Sequence, residues 1–149
     1  MRMSKGVDFP NLRDEDWRQT SEIDPVYNCV AYAAGRTDVF WWPDPFAPPL
    51  DDYWPTNVTR EETIEAFVEL YATFHYEPCT DGSLESGYEK VVIYAISTTP
   101  THAARQLPDG TWTSKLGTYE DIQHHDLECL NGPCYGQPVR FMRRPIASP

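Results

Sequence analysis

The sequence predicts an α+β domain, with helices first and a small antiparallel sheet after them. Three observations predict it. Lys90 to Ser97 is a near-continuous apolar run, the mark of a strand covered on both faces. Thr101 to Gly117 then reads as a hairpin around Leu107-Pro108-Asp109-Gly110, with Pro at the second turn position and Gly at the fourth. Upstream, Ile64, Phe67, Val68 and Tyr71 recur at i, i+3, i+4 and i+7, the spacing of one helix face. At 149 residues the chain is expected to form one domain, large enough to bury a core without disulfides.

The elements follow in order. Residues 1–12 are expected to be a poorly ordered lead-in, and 13–18 one helical turn anchored by Trp17. Asp24-Pro25 is a helix-start signal, and Asn28 offers a second cap. Cys29-Val30-Ala31-Tyr32-Ala33-Ala34 is a short helix of small apolar residues, stopped by Gly35. Residues 36–57 carry two Trp-Pro clusters, Trp41-Trp42-Pro43 and Tyr53-Trp54-Pro55. A loop of that length is usually functional or packed on itself. Thr59-Arg60-Glu61-Glu62 reads as a capping box for the second helix, which should end near His75. After the hairpin, residues 119–125 read as a short helix or turn, Asn131-Gly132-Pro133 as a turn, and residues 137–143 as a last strand.

The hairpin loop fixes a register. Leu107 faces Thr111, Ala104 faces Ser114 and His102 faces Leu116. Side chains alternate along a strand, so His102, Ala104, Trp112, Ser114 and Leu116 share one face. Arg105 and Lys115 fall on the other, where they are expected to pair with carboxylates.

The formal charge is −11. Binding a phosphate backbone relies on Lys and Arg releasing counterions, so nucleic acid and anionic membrane are excluded as partners. No 18-residue apolar run is present, so no spanning helix is expected. Met1-Arg2-Met3-Ser4-Lys5-Gly6 is basic, but no apolar stretch follows it. The cytoplasm is therefore the expected compartment, with its cysteines reduced.

Cys29 at the start of a helix is a candidate nucleophile. The thiolate attacks, and a free thiol has a pKa of about 8.5. Full ionisation near neutrality needs a drop of roughly two units, about 2.7 kcal/mol. A helix N-terminus supplies about 0.3–1 kcal/mol, rising to about 2 in good geometry, so an imidazole partner is also required. His102 is the best placed, as general base and then acid. Ser114 would orient the ring, with His124 or Asp121 as substitutes. The Cys29 N–H and the Asn28 amide would hold the oxyanion. Trp41, Trp42 and Trp54 would line the substrate cleft. Cys129 and Cys134, with His124 and His125, could hold a metal, and the two thiols could instead form a disulfide. Their spacing is looser than that of zinc sites, and no metal or cofactor is expected.

The order Cys at a helix start, His opening an antiparallel strand and a polar residue on the next strand resembles the papain-like layout, across about residues 24 to 117. That resemblance implies a papain-like thiol hydrolase cleaving an amide or isopeptide bond of a peptide or protein substrate. Two features depart from it: no Gln lies just before Cys29, and the third member would be Ser. Tyr27-Asn28-Cys29-Val30-Ala31-Tyr32-Ala33, the Trp-Pro clusters, and the His102-Ala-Ala-Arg-Gln…Asp109-Gly110-x-Trp112-Thr-Ser-Lys-Leu-Gly117…Asp121-Ile122-x-His124 pattern also resemble a small uncharacterised bacterial and phage family. The rival reading is a non-catalytic acidic binding or inhibitor protein that sequesters a partner through its Trp-rich loop, with Cys29 in the core. Oligomeric state is left open.

Overall fold

The computed structural model describes residues 9–43, 52–116 and 120–146. Seven strands form one sheet: β1 (Trp17–Gln19), β4 (Glu77–Cys79), β5 (Tyr88–Ile96), β6 (Thr99–Gln106), β7 (Trp112–Lys115), β8 (Asp121–His124) and β9 (Gln137–Pro145). Their spatial order is β1-β8-β7-β6-β5-β9-β4, and every pairing in it is antiparallel. A separate parallel pair, β2 (Phe40–Trp41) and β3 (Asp52–Tyr53), lies in the Trp-rich region. Two α-helices, α1 (Cys29–Ala33) and α2 (Ile64–Ala72), complete the α+β plan. No helix among the described residues is long and apolar enough to cross a membrane.

The predicted central strand is β5, flanked by β6 and β9 and fully buried from Val91 to Tyr94. The hairpin register also stands. Arg105 pairs with Thr113 and Gln106 with Trp112, and the Leu107 N–H donates to Thr111 O at 2.7 Å. Gly110 takes φ +90 in the loop, the backbone a side chain would resist.

The sheet has a core on each face. On one, α1 and α2 cover Val91, Ile93, Ala103 and Met142. On the other, Phe9, Leu12, Leu130 and Tyr135 cover Val92, Tyr94, Ala104, Trp112, Leu116 and Ile122. The second core corrects the expectation for residues 1–12 in its described part: Phe9 and Leu12 are buried because the sheet's second face needs a lid. Residues 1–8 lie outside the described residues.

Asn28 caps α1, as one reading of the sequence had it. Its side-chain oxygen accepts from the Ala31 N–H, and the Asp24-Pro25 signal opens only a turn. Gly35, at φ +87, follows the C-cap Ala34. The cap of α2 is Thr63 rather than Thr59, with Thr63 Oγ1 accepting from Ala66 N–H at 3.1 Å. Two Thr four residues apart carry the same signal, and burial of Ile64 selects the later one. Its stripe is core as expected: Ile64, Phe67 and Tyr71 are buried, and Val68 packs against them.

Two local readings are corrected. Residues 13–18 form a single 3-10 turn over Asp14–Asp16 and then strand β1, because Trp17, Arg18 and Gln19 pair with His124, Gln123 and Ile122. Residues 121–124 are a strand rather than a helix or turn. Ile122 and His124 point into the second core, and the edge of β7 supplies the hydrogen bonds.

Candidate functional site

Cys29 and His102 lie on opposite faces of the sheet. Cys29 belongs to the helix-side core, packed with Val30, Phe67 and Ala103. His102 precedes Ala103 in β6, so alternation sends its ring the other way. There it stacks on Tyr135 at 4.0 Å between centroids and meets Tyr94 edge-on at 5.3 Å, both members of the second core. The expected meeting of thiol and imidazole is therefore corrected. A hairpin register says which residues share a face, but not which face a distant helix covers.

The electrostatics agree with the geometry. Burial pushes the Cys29 thiol up to about 11, against minor opposing effects from neighbouring backbone and Lys115. A helix of five residues has little dipole to set against that. Burial also holds the His102 imidazole well below its ordinary value, with His124 adding to the effect, and neither ring nitrogen has a hydrogen-bond partner. His102 is a neutral ring in a box of tyrosines.

Ser114 orients a different histidine. Its hydroxyl lies 2.7 Å from His124 Nε2, and His124 Nδ1 lies 2.9 Å from the Asp126 carbonyl. A carbonyl only accepts, so Nδ1 carries the proton and Nε2 accepts from the Ser114 hydroxyl. The polarity is that of a serine–histidine pair, but both residues are essentially closed to solvent. Burial lowers His124 to about 4, although the Asp126 carbonyl and carboxylate oppose the shift. The sequence pattern through Asp121 and His124 carried the signal. What concealed the strand was the short turn-rich segment around it.

Asn28 serves the structure. Its Nδ2 donates to Trp41 O at 2.8 Å, and its Oδ1 accepts from Trp41 N–H and Ala31 N–H. The amide is buried and turned onto the Trp41 backbone, which corrects the expectation that it holds an oxyanion. Trp41 and Trp54 are also corrected as cleft residues. Trp41 is buried against Phe74, and Trp54 packs on Phe67 while its indole N–H donates to Thr59 O. Trp42, half-buried, meets Phe67 edge-on. Residues 44–51 of that loop lie outside the described residues.

The hairpin cations divide. Lys115 is buried, 3.7 Å from Asp121 Oδ1 and 4.0 Å from the centroid of the Tyr27 ring, whose hydroxyl donates to Asp121 Oδ2 at 2.7 Å. Desolvation lowers the Lys115 amine and Asp121 opposes it. Arg105 has no carboxylate partner among the described residues and lies 5.4 Å from the Tyr32 ring. All four cysteines are free.

Fold and site together define an antiparallel-sheet α+β protein whose reactive-looking side chains are core. The chain belongs to the family described as a domain of unknown function, DUF7689, whose model matches residues 18–143. No curated protein and no solved structure matches it.

Proposed function

We propose that this chain is a non-catalytic acidic binding protein that captures a basic protein or peptide. The observation that carries this reading is the sorting of charge. Arg13, Arg36, Lys90, Lys115, Arg143 and Arg144 are each engaged with carboxylates of the same chain. Glu61, Glu62, Glu65 and Glu69 stand exposed at the entry to α2 and along its outer side. None of the four is in an ion pair with a described residue. Like charges at i and i+4 repel on a helix, and a bound cation relieves that repulsion. Surface charge of this kind governs partner choice and on-rate, and its effect falls with salt.

The Trp-rich loop gives less support as the contact surface, because Trp41 and Trp54 are spent on the core. A papain-like thiol hydrolase would need Cys29 and His102 within reach of each other, and the two residues face different cores.

The test is titration of a lysine-rich peptide into wild type and a Glu61→Gln/Glu65→Gln/Glu69→Gln variant at about 0.05 M and about 0.5 M salt. The reading predicts binding that weakens at high salt and at least roughly tenfold weaker binding by the variant. Equal affinity of the two proteins would contradict it.

A further inference from the structure

The two cores are closed by different kinds of structure. Two helices cover the first, whereas residues 125–136, with Phe9 and Leu12, cover the second. The 125–136 segment holds a 3-10 turn at Glu128–Leu130 and an isolated bridge between Gly132 and Gly136. Side-chain hydrogen bonds tie it to the sheet. The Tyr94 hydroxyl donates to Leu127 O at 2.7 Å, Thr101 Oγ1 to Tyr135 O at 2.6 Å, and His124 Nδ1 to Asp126 O at 2.9 Å. A segment held in this way can lift while the strands beneath it stay paired.

Both buried histidines sit at the seam between this lid and the sheet. His102 stacks on Tyr135 of the lid, Tyr94 of β5 stands edge-on to it, and His124 is the charge-bearing group that acts on it. Cys129, Glu128 and Asp126 act on Tyr94 from beyond it. His124 meets Ser114 of β7 and the Asp126 carbonyl, with Trp17 of β1 opposite it in register. Glu15, Asp16, Arg18 and His125 line the shallow groove outside His124. The Asp126 carboxylate accepts from the Cys129 N–H and thiol and lies 3.4 Å from His125. No group of His, Cys, Asp and Glu among the described residues is arranged to hold a metal ion.

We propose that His102 and His124 form an acid-sensitive latch: their protonation releases residues 125–136 while the helix-side core stays closed. Neither His102 nitrogen has a partner, so a proton there makes a buried charge with no acceptor for its N–H groups. Lifting the lid gives both rings to water. An exposed histidine takes a proton near 6.5. His124 under the closed lid does so only at about 4, so the open form binds more protons and gains as pH falls. For His124 alone the opening constant rises about thirtyfold between about pH 7.5 and about pH 5. Asp126 stays ionised across that window. Burial pushes its carboxyl up, but hydrogen bonds from Cys129 and His125 outweigh burial and hold it below its ordinary value. Opening uncovers Val92, Ala104, Trp112 and Ile122, an apolar face that is hidden at neutral pH.

Two buried thiols report on the two cores within one chain. Cys129, 3% exposed, lies in the lid, and Cys29, 4% exposed, lies under the helices. The experiment labels the native protein with a dipyridyl disulfide, which stays reactive towards thiols in acid, and reads both sites by mass spectrometry. The ratio of the Cys129 rate to the Cys29 rate is expected to rise at least about thirtyfold from about pH 7.5 to about pH 5. His124→Gln and His102→Phe each remove one titrating ring, and each should blunt that rise; if one of them fails to fold, the other decides. A constant ratio in wild type would show that the chain opens as one unit and would overturn the latch. So would a rise that the folded variants keep in full.

Discussion

Ser114 Oγ donates to His124 Nε2 across 2.7 Å inside the second core, while His102 stands on the same side of the sheet with no hydrogen-bond partner for its ring. The relationship ties two histidines to neutral forms for different reasons. His124 is fixed by two hydrogen bonds that demand one tautomer. His102 is fixed by a site that offers a charge nothing.

The pH dependence of stability follows. An unfolded histidine takes a proton near 6.5. His124 does so only at about 4 in the fold, and His102 is also depressed. Between those values the unfolded chain binds more protons, so stability falls as pH drops from about 7 towards 4. The His124 shift alone corresponds to a loss on the order of 3 kcal/mol. Urea midpoints across that range check it, and a flat profile in wild type would contradict the neutral assignment. Ser114→Ala should cost about 1–3 kcal/mol, because it leaves Nε2 buried without a donor.

Asn28→Ala should destabilise the fold by more than an ordinary cap. Caps are worth about 0.5–2 kcal/mol. Asn28 also makes two hydrogen bonds to the Trp41 backbone, tying α1 to β2. A loss of roughly 2–4 kcal/mol is expected by denaturant unfolding. A change within about 0.5 kcal/mol would show that the Trp41 contacts contribute nothing.

Gly136→Ala should be among the most damaging single changes. Gly136 has φ +73, and a Cβ there would meet Ala95 O at 2.1 Å. Backbone atoms at that distance cannot give way cheaply, so neither strain nor space allows a methyl group. The expected outcome is a fall in the yield of folded protein. Gly35→Ala, where a Cβ meets nothing within 4 Å, should carry the strain of φ +87 alone and fold with a smaller penalty, about 1 kcal/mol.

Parts of this fold are legible in the sequence because their signals are local. The Leu107-to-Gly110 turn sets the β6–β7 register through four residues, and Asn28 and Gly35 bracket α1 within eight. β1 and β8 were hidden because three- and four-residue strands carry almost no periodicity. Their pairing is decided across more than 100 residues, between Trp17 and His124. The candidate site failed for a related reason. Choosing His102 as the partner of Cys29 required knowing that α1 covers the Ala103 face of β6, and no spacing in the chain encodes that. The Trp-Pro clusters misled by composition, since rings that could hold a ligand hold β2, β3 and α2 together instead.

The most direct test of the central claim is the rate at which each thiol reacts with iodoacetamide in the native protein at pH 6, read by mass spectrometry of the digested chain. Cys29, 4% exposed and with its thiol raised to about 11, should label more slowly than the partly exposed Cys79 and Cys134, at a rate that tracks unfolding. Labelling of Cys29 ahead of the other three thiols, with loss of the effect in His102→Ala, would contradict the account and restore the thiol–imidazole pair.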